Sequence, residues 1–293
     1  MNPASGSEHL LDPHATSDVA RERRDIEVDG HRLETCRFGA PDEALRVVLL
    51  HEGLGSVAAW KDFPALLAAR IGEPVLAYSR VGYGQSSPPP RAPREVRFMH
   101  HEALAVLPAL LQAFAVQQPI LVGHSDGASI ALIHAGTVAH SARAVDCHRT
   151  AATLGVAVLA PHLFVEPVTV EEIATVHRGF DAGDLASRLS RYHRDPAATF
   201  HSWAQIWLSA PFLDWNIEAE VAAIKCPLLA IQGREDQYGT ALQIERISTL
   251  SPQTETMMLP HCRHSPHQEQ PEMVLAALTG FIAGLPPRLL APG

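Results

Sequence analysis

Gly123-His124-Ser125-Asp126-Gly127 lies between an apolar run, Pro119-Ile120-Leu121-Val122, and a helix-like segment from Ala128 to Ala142. A buried strand that turns sharply and enters a helix at once holds its apex residue, Ser125, in a strained backbone with the hydroxyl projecting into an open site. The flanking glycines are needed because a β-carbon at either place would collide across the bend. G-x-S-x-G alone is a weak pattern. A strand before it and a helix after it make it a strong one.

The rest of the chain supplies the sheet this turn needs. Asp25 to Phe38 alternates loosely about Asp29-Gly30, a pair that favours a two-residue hairpin. Short apolar runs predict buried strands at Arg46 to Leu50, Pro74 to Tyr78, 119–124, Val156 to Leu159, Pro227 to Gln232 and Thr254 to Leu259. Helical spacing runs over Trp60 to Arg70, Phe98 to Val116 and Pro271 to Leu285. Strands alternating with helices imply a mostly parallel sheet covered on both faces, with the hairpin adding an antiparallel edge. Ligands of such sheets sit beyond the carboxyl ends of the strands.

Between 160 and 227 the alternation stops and only helices are predicted. Thr169-Val170-Glu171-Glu172 reads as a capping box, and Asp195-Pro196 as an N-cap followed by proline at the first helical position. The expectation is a helical cap over the sheet's active edge. Phe200, Trp203 and Trp207 fall on one face of its third helix, where aromatics more often pack a cap onto its core than touch a ligand.

Composition excludes several classes. A formal charge of -9 with no basic cluster argues against a nucleic-acid surface. No apolar run approaches the roughly 20 residues of a membrane span. Met1 to Arg24 is polar and lacks an apolar h-region, so it is predicted to be a flexible leader and the protein cytoplasmic. Cys36, Cys147, Cys226 and Cys262 are scattered without metal-type spacing, as expected of reduced thiols.

A serine hydroxyl is a poor nucleophile until a base takes its proton, and that base needs a third group to fix its tautomer. Both partners follow in the order acid, then histidine. Glu235 and Asp236 stand after strand 227–232, and His261, His264 and His267 after the last strand. The three histidines lack the further ligands a metal site needs. His134, on the helix after Ser125, reads as a core histidine.

Together these residues resemble the α/β-hydrolase fold family with a helical cap, over roughly residues 25–285. The resemblance implies a mostly parallel eight-stranded sheet flanked by helices, with core segments 25–160 and 222–293 and a cap, 161–221, inserted after strand six. It selects Asp236, three places past Gly233, and His264, which is followed by Glu269, Pro271 and Glu272 in a pattern similar to x-x-x-x-E-x-P-E. Arg263 departs from the glycine that often precedes this histidine. His51-Glu52-Gly53-Leu54-Gly55-Ser56 is similar to the family's H-G-x-x-G loop. The oxyanion hole is then expected from the backbone N–H groups of Gly53 and Asp126. Glu52 stands where glycine is usual, which leaves Leu54 as the alternative donor. Tyr78 to Ser86 resembles D-x-R-G-x-G-x-S, a loop that shapes the fold. The Asp126 carboxylate is expected to sit at a helix N-terminus, where it is favoured by roughly 0.3–1 kcal/mol.

The implied activity is a serine hydrolase cleaving a small carboxylic ester or lactone through an acyl-enzyme, with Ser125 as nucleophile, His264 as base and Asp236 orienting it. No cofactor and no metal are implied, the partner is a small acyl substrate, and a homo-oligomer is left open. Dehalogenases and epoxide hydrolases of the family carry aspartate at the apex, and epoxide opening uses cap tyrosines, of which this cap has only Tyr192. Carbon–carbon bond hydrolases of ring-cleavage products share the serine triad and are the alternative; perhydrolysis uses the same three residues. A non-catalytic binding protein on this fold usually loses a triad member, and all three are present here.

Overall fold

The computed structural model describes residues 19–90, 92–141, 152–181 and 183–286. Strands β1 (Arg21–Val28) and β2 (His31–Phe38) form the expected hairpin, with Asp29 (φ 53°) and Gly30 (φ 73°) both left-handed as a two-residue turn requires. β3 (Val47–Leu50), helix α1 (Phe63–Ile71) and β4 (Val75–Tyr78) follow. A helical stretch is built from α2 (Phe98–His101), a π-helical segment Glu102–Val106, and α3 (Leu107–Ala113). Next come β5 (Ile120–His124), α4 (Asp126–Ser141) and β6 (Gly155–Leu159). The insertion holds α5 (Pro167–Gly179), α6 (Leu185–Leu189) and α7 (Pro196–Trp207). α8 (Glu218–Ala223), β7 (Leu228–Gly233), α9 (Leu242–Leu250), β8 (Glu255–Leu259), α10 (Pro266–Glu269) and α11 (Pro271–Gly284) complete the chain.

The eight strands form one sheet in the order β1-β2-β4-β3-β5-β6-β7-β8. β2 pairs antiparallel with β1 and β4, and every other pair is parallel. Alternate side chains feed two cores because successive β-carbons leave opposite faces of a strand. Val48, Leu50, Leu121 and Val158 pack with α2, α3, α4, α8 and α9. Val47, Leu49, Val122 and Ile231 pack with α1 and α11 on the other face. Burial on both faces is why these strands read as continuous apolar runs.

Four sequence expectations need correction. Residues 21–24, assigned to the leader, form the first half of β1; positions 1–18 of that leader lie outside the described residues, as does Cys147. As an edge strand, β1 is exposed over its first five positions, so it carries no apolar signal. The capping box at Thr169 is not one: α5 starts at Pro167, and the Thr169 hydroxyl donates to the Tyr238 carbonyl instead (2.5 Å). The Phe98 to Val116 helix is interrupted by the π turn and ends at Ala113. α8, placed in the cap, packs against α4 and α9 and so belongs to the layer flanking the sheet. The N-cap at Asp195 is as expected, accepting from the Ala198 N–H at 2.9 Å. Among the described residues, no helix is long and apolar enough to cross a membrane.

Candidate active site

Ser125 stands between β5 and α4 with φ 52°, the left-handed conformation expected at a strand-to-helix apex. Its N–H is tied to the Leu159 carbonyl at 2.9 Å, which pins the turn to the neighbouring strand. The flanking glycines are a steric necessity: a β-carbon on Gly123 would lie 2.3 Å from the Gly127 carbonyl oxygen, and one on Gly127 would lie 2.1 Å from that of Leu50.

Two further loops converge on this turn. His264, after β8, places Nε2 3.0 Å from Ser125 Oγ and Nδ1 2.8 Å from Asp236 Oδ1. Asp236, after β7, is fixed in turn: Oδ1 also accepts the Tyr238 N–H at 2.9 Å, and Oδ2 accepts from Gln232 Nε2 at 3.1 Å. Burial pushes the Asp236 carboxyl up, but the His264 imidazole beside it and the Tyr238 N–H together more than reverse this and hold it below the usual value. It is therefore a carboxylate, able to accept Nδ1–H and leave Nε2 free to face the serine.

The alternatives lie elsewhere. Glu235 pairs with His261 at 3.4 Å on the surface, where the His261 side chain is 91% exposed. His267 is buried against Trp60, with ring centroids 4.7 Å apart, and burial pushes it well below the ordinary histidine value. Among the described residues, no group of three or more His, Cys, Asp or Glu is arranged to hold a metal ion. Arg263 replaces the usual glycine without strain, because the left-handed residue of this loop is His261 (φ 54°). Glu269 then clasps the loop, accepting from the Arg263 and Ser265 N–H groups at 2.8 and 3.0 Å.

On the opposite side of Ser125 the 51–56 loop is braced by Arg80, which is 2% exposed. Its guanidinium donates to the Glu52 carbonyl at 2.7 Å and its N–H to His51 Nε2 at 3.1 Å. The loop from Tyr78 to Ser86 thus braces the 51–56 loop. Arg80 Nη1 also lies 3.6 Å from Asp126 Oδ2. Asp126 stands in the first turn of α4, as expected, and at 1% exposure its carboxylate also lies in a buried ion pair with Arg80. Its backbone N–H opens α4 and is one of the unpaired donors of a helix start. Gly53 lies directly under Trp203: a β-carbon there would fall 2.1 Å from the indole Nε1. Leu54 turns its carbonyl toward His193 Nε2, at 2.9 Å.

The helical insertion contributes unequally. Phe200 stacks on Phe180 with centroids 3.9 Å apart, inside the insertion. Trp203 reaches the 51–56 loop, and Trp207 packs edge-on against His162 at 5.2 Å. The sequence did not single out His162. Burial pushes it down to about 3, so a neutral imidazole lies 5.8 Å from the His264 ring. The side chains of Glu52 and His124 were missed as well; they face one another at 3.4 Å behind Ser125. The departure at Glu52 was the visible signal, but nothing local named its partner.

Comparison with known proteins agrees with this architecture. The 2-hydroxy-6-oxo-6-phenylhexa-2,4-dienoate hydrolase from Rhodococcus is similar in fold, with a TM-score of 0.71 and 16% identity over 91% of this chain and 100% of that one. The enol-lactonase from Burkholderia xenovorans gives 0.68 and 17% over 89% and 100%. A carboxylesterase from Bacillus subtilis gives 0.66 and 18% over 92% and 94%. At such identities the likeness is one of fold. No curated protein sequence matches the chain significantly. The sequence pattern of the alpha/beta hydrolase family matches residues 47–277. The chain therefore belongs to the alpha/beta hydrolase family.

Proposed function

We propose that the protein is a serine hydrolase acting on a small carboxylic ester or lactone through an acyl-enzyme. The observation that carries this reading is the unbroken chain Asp236–His264–Ser125, with hydrogen bonds of 2.8 and 3.0 Å. Asp236 holds the imidazole in the tautomer with Nδ1 protonated. His264 Nε2 takes the Ser125 proton as Oγ attacks the carbonyl carbon. The oxyanion is received by the N–H groups of Gly53 and Asp126, a contribution worth roughly 3–4 kcal/mol per donor. The leaving alkoxide takes the proton from His264, and the ester of Ser125 remains. A water deprotonated by the same nitrogen then releases the acid and restores the serine.

Trp203, lying over Gly53, bounds the acyl site from the insertion, which acts as a cap in this reading and favours small acyl groups. The test is labelling with a fluorophosphonate: wild type is modified at Ser125 and Ser125→Ala is not. Activated short-chain esters and lactones are then turned over. Cleavage of vinylogous 1,5-diketone acids in their place would shift the reading to carbon–carbon hydrolysis. A wild-type protein that neither labels nor turns over any of these would refute enzymatic function at this serine.

A further inference from the structure

The ring of His124, 1% exposed, lies between two hydrogen-bond acceptors. Its Nε2 is 2.7 Å from the backbone carbonyl oxygen of His264, and its Nδ1 is 3.4 Å from Glu52 Oε2. The Nε2 contact is a hydrogen bond, whereas the Nδ1 contact is at ion-pair distance with no hydrogen bond formed. A carbonyl and a carboxylate can only accept, so each nitrogen faces its neighbour favourably only when it carries a proton. Glu52 reaches this place by folding back beneath its own loop. Gly55 leaves the room, since a β-carbon there would lie 2.3 Å from Glu52 Oε2.

We propose that Glu52 and His124 form a positioning pair that ties the oxyanion loop to the His264 loop behind Ser125, and so holds His264 in register with the nucleophile. The proposal rests on the serine hydrolase reading given above. His124 joins three segments: it precedes Ser125, it donates to the residue that serves as base, and it pairs with the residue preceding Gly53. Glu52 faces it from the loop after β3. His264 and His267 face it from the region after β8, with ring centroids at 5.3 and 4.8 Å. Trp60 lies at 6.4 Å, the Asp236 carboxylate acts at longer range through its charge, and the neutral His162 lies beyond it.

The electrostatics agree with the geometry. Burial pulls His124 toward the neutral form, but the Glu52 carboxylate, together with the His264 carbonyl and the Asp236 charge, more than reverses this and raises it above the ordinary value. Burial likewise opposes ionisation of Glu52, yet His124 holds that carboxyl well below the usual range. His267 and His162 are both pushed down by burial and are neutral. When His124 gives up a proton to solvent at high pH, Nε2 loses it, because a bare Nδ1 would face a carboxylate. The tie to the His264 carbonyl is then broken.

The test is the second-order rate of fluorophosphonate labelling between pH 5.5 and 9.5, combined with 15N spectra of the histidine rings. In wild type, both His124 nitrogens carry protons at pH 6, and the labelling rate falls at alkaline pH as Nε2 is deprotonated. In Glu52→Gln the side-chain amide donates to Nδ1, the neutral ring keeps its Nε2 proton, and that alkaline fall disappears. His124→Leu labels on the order of 10²-fold more slowly, the scale expected for a misplacement of about 1 Å. His124→Gln, whose amide N–H stands near the position of Nε2, recovers most of the loss and keeps the test valid should the leucine variant fail to fold. A His124 ring with one bare nitrogen at pH 6, a wild-type rate in the folded leucine variant, or an unchanged alkaline fall in Glu52→Gln would each overturn the proposal. A wild-type protein that is not labelled would overturn the serine hydrolase reading instead, while the ring spectra would still decide on the pair.

Discussion

Two carboxylate–imidazole pairs flank Ser125, and they differ in what lies beyond the far ring nitrogen. In the Asp236–His264 pair that nitrogen is 3.0 Å from the Ser125 hydroxyl, a group that can surrender a proton. In the Glu52–His124 pair it is 2.7 Å from a backbone carbonyl, which cannot. The first arrangement can move a proton and the second can only hold a loop. Similar chemistry thus does different work according to its third partner, and a buried acid–histidine contact is not by itself a catalytic sign.

The sharpest way to break this comparison is to make like changes on both sides. Ser125→Ala or His264→Ala is expected to lower kcat/KM for an activated ester by about 10⁴-fold or more. Asp236→Asn, which leaves the geometry but favours the wrong tautomer, is expected to cost about 10⁴-fold. Glu52→Gln, the same chemical change in the other pair, removes the carboxylate's charge but leaves Nδ1 a polar neighbour, a loss of roughly 1 kcal/mol, and is expected to cost about tenfold or less at neutral pH. Steady-state kinetics on the four variants decide it; equal losses from Asp236→Asn and Glu52→Gln would erase the distinction.

Arg80 braces one side only. Arg80→Met strips donors from the Glu52 carbonyl and leaves the Asp126 carboxylate buried without its partner. Breaking such a pair is expected to cost about 3–5 kcal/mol of stability, read by denaturant unfolding. Apart from these shared contacts, the Asp236 hydrogen bonds to Tyr238 and Gln232 stay intact in that variant.

How much of this was legible in the sequence follows from where each interaction is encoded. The strands at Val47–Leu50, Ile120–His124 and Leu228–Gly233 were plain because burial on both faces demands unbroken apolar runs. Ser125 was plain from the strand before it and the helix after it, whereas Asp236 and His264 were told from Glu235, His261 and His267, which stand past the same strand ends, only by the resemblance to the family. β1 was partly hidden, since an exposed edge strand needs no apolar residues. The start of α5 was misplaced because the Thr169 hydroxyl serves a contact to Tyr238, far along the chain. Glu52, His124 and the Asp126–Arg80 pair were hidden for the same reason. Their meaning lies in partners that local patterning cannot name.

The smallest expected effect is on stability against pH. His124 is raised in the folded protein, so its contribution is complete below its unfolded value, about 6.5, and is lost as pH rises through the higher folded value. Glu52 is lowered, so its contribution is present above its unfolded value, about 4.3, and is lost as pH falls. Thermal melts should show wild type losing Tm above about pH 6.5. Glu52→Gln should lose less over the same range, and a parallel decline in the two proteins would deny the pair its charged state.

A serine hydrolase with this triad must carry the acyl group on Ser125. Rapid mixing with 4-nitrophenyl acetate, acid quenching and peptide mass mapping test this directly. The expected result is a burst of one nitrophenolate per site and an acetyl group on the peptide holding Ser125, absent from Ser125→Ala. Continued turnover with no adduct at Ser125, or an adduct on another residue, would contradict it.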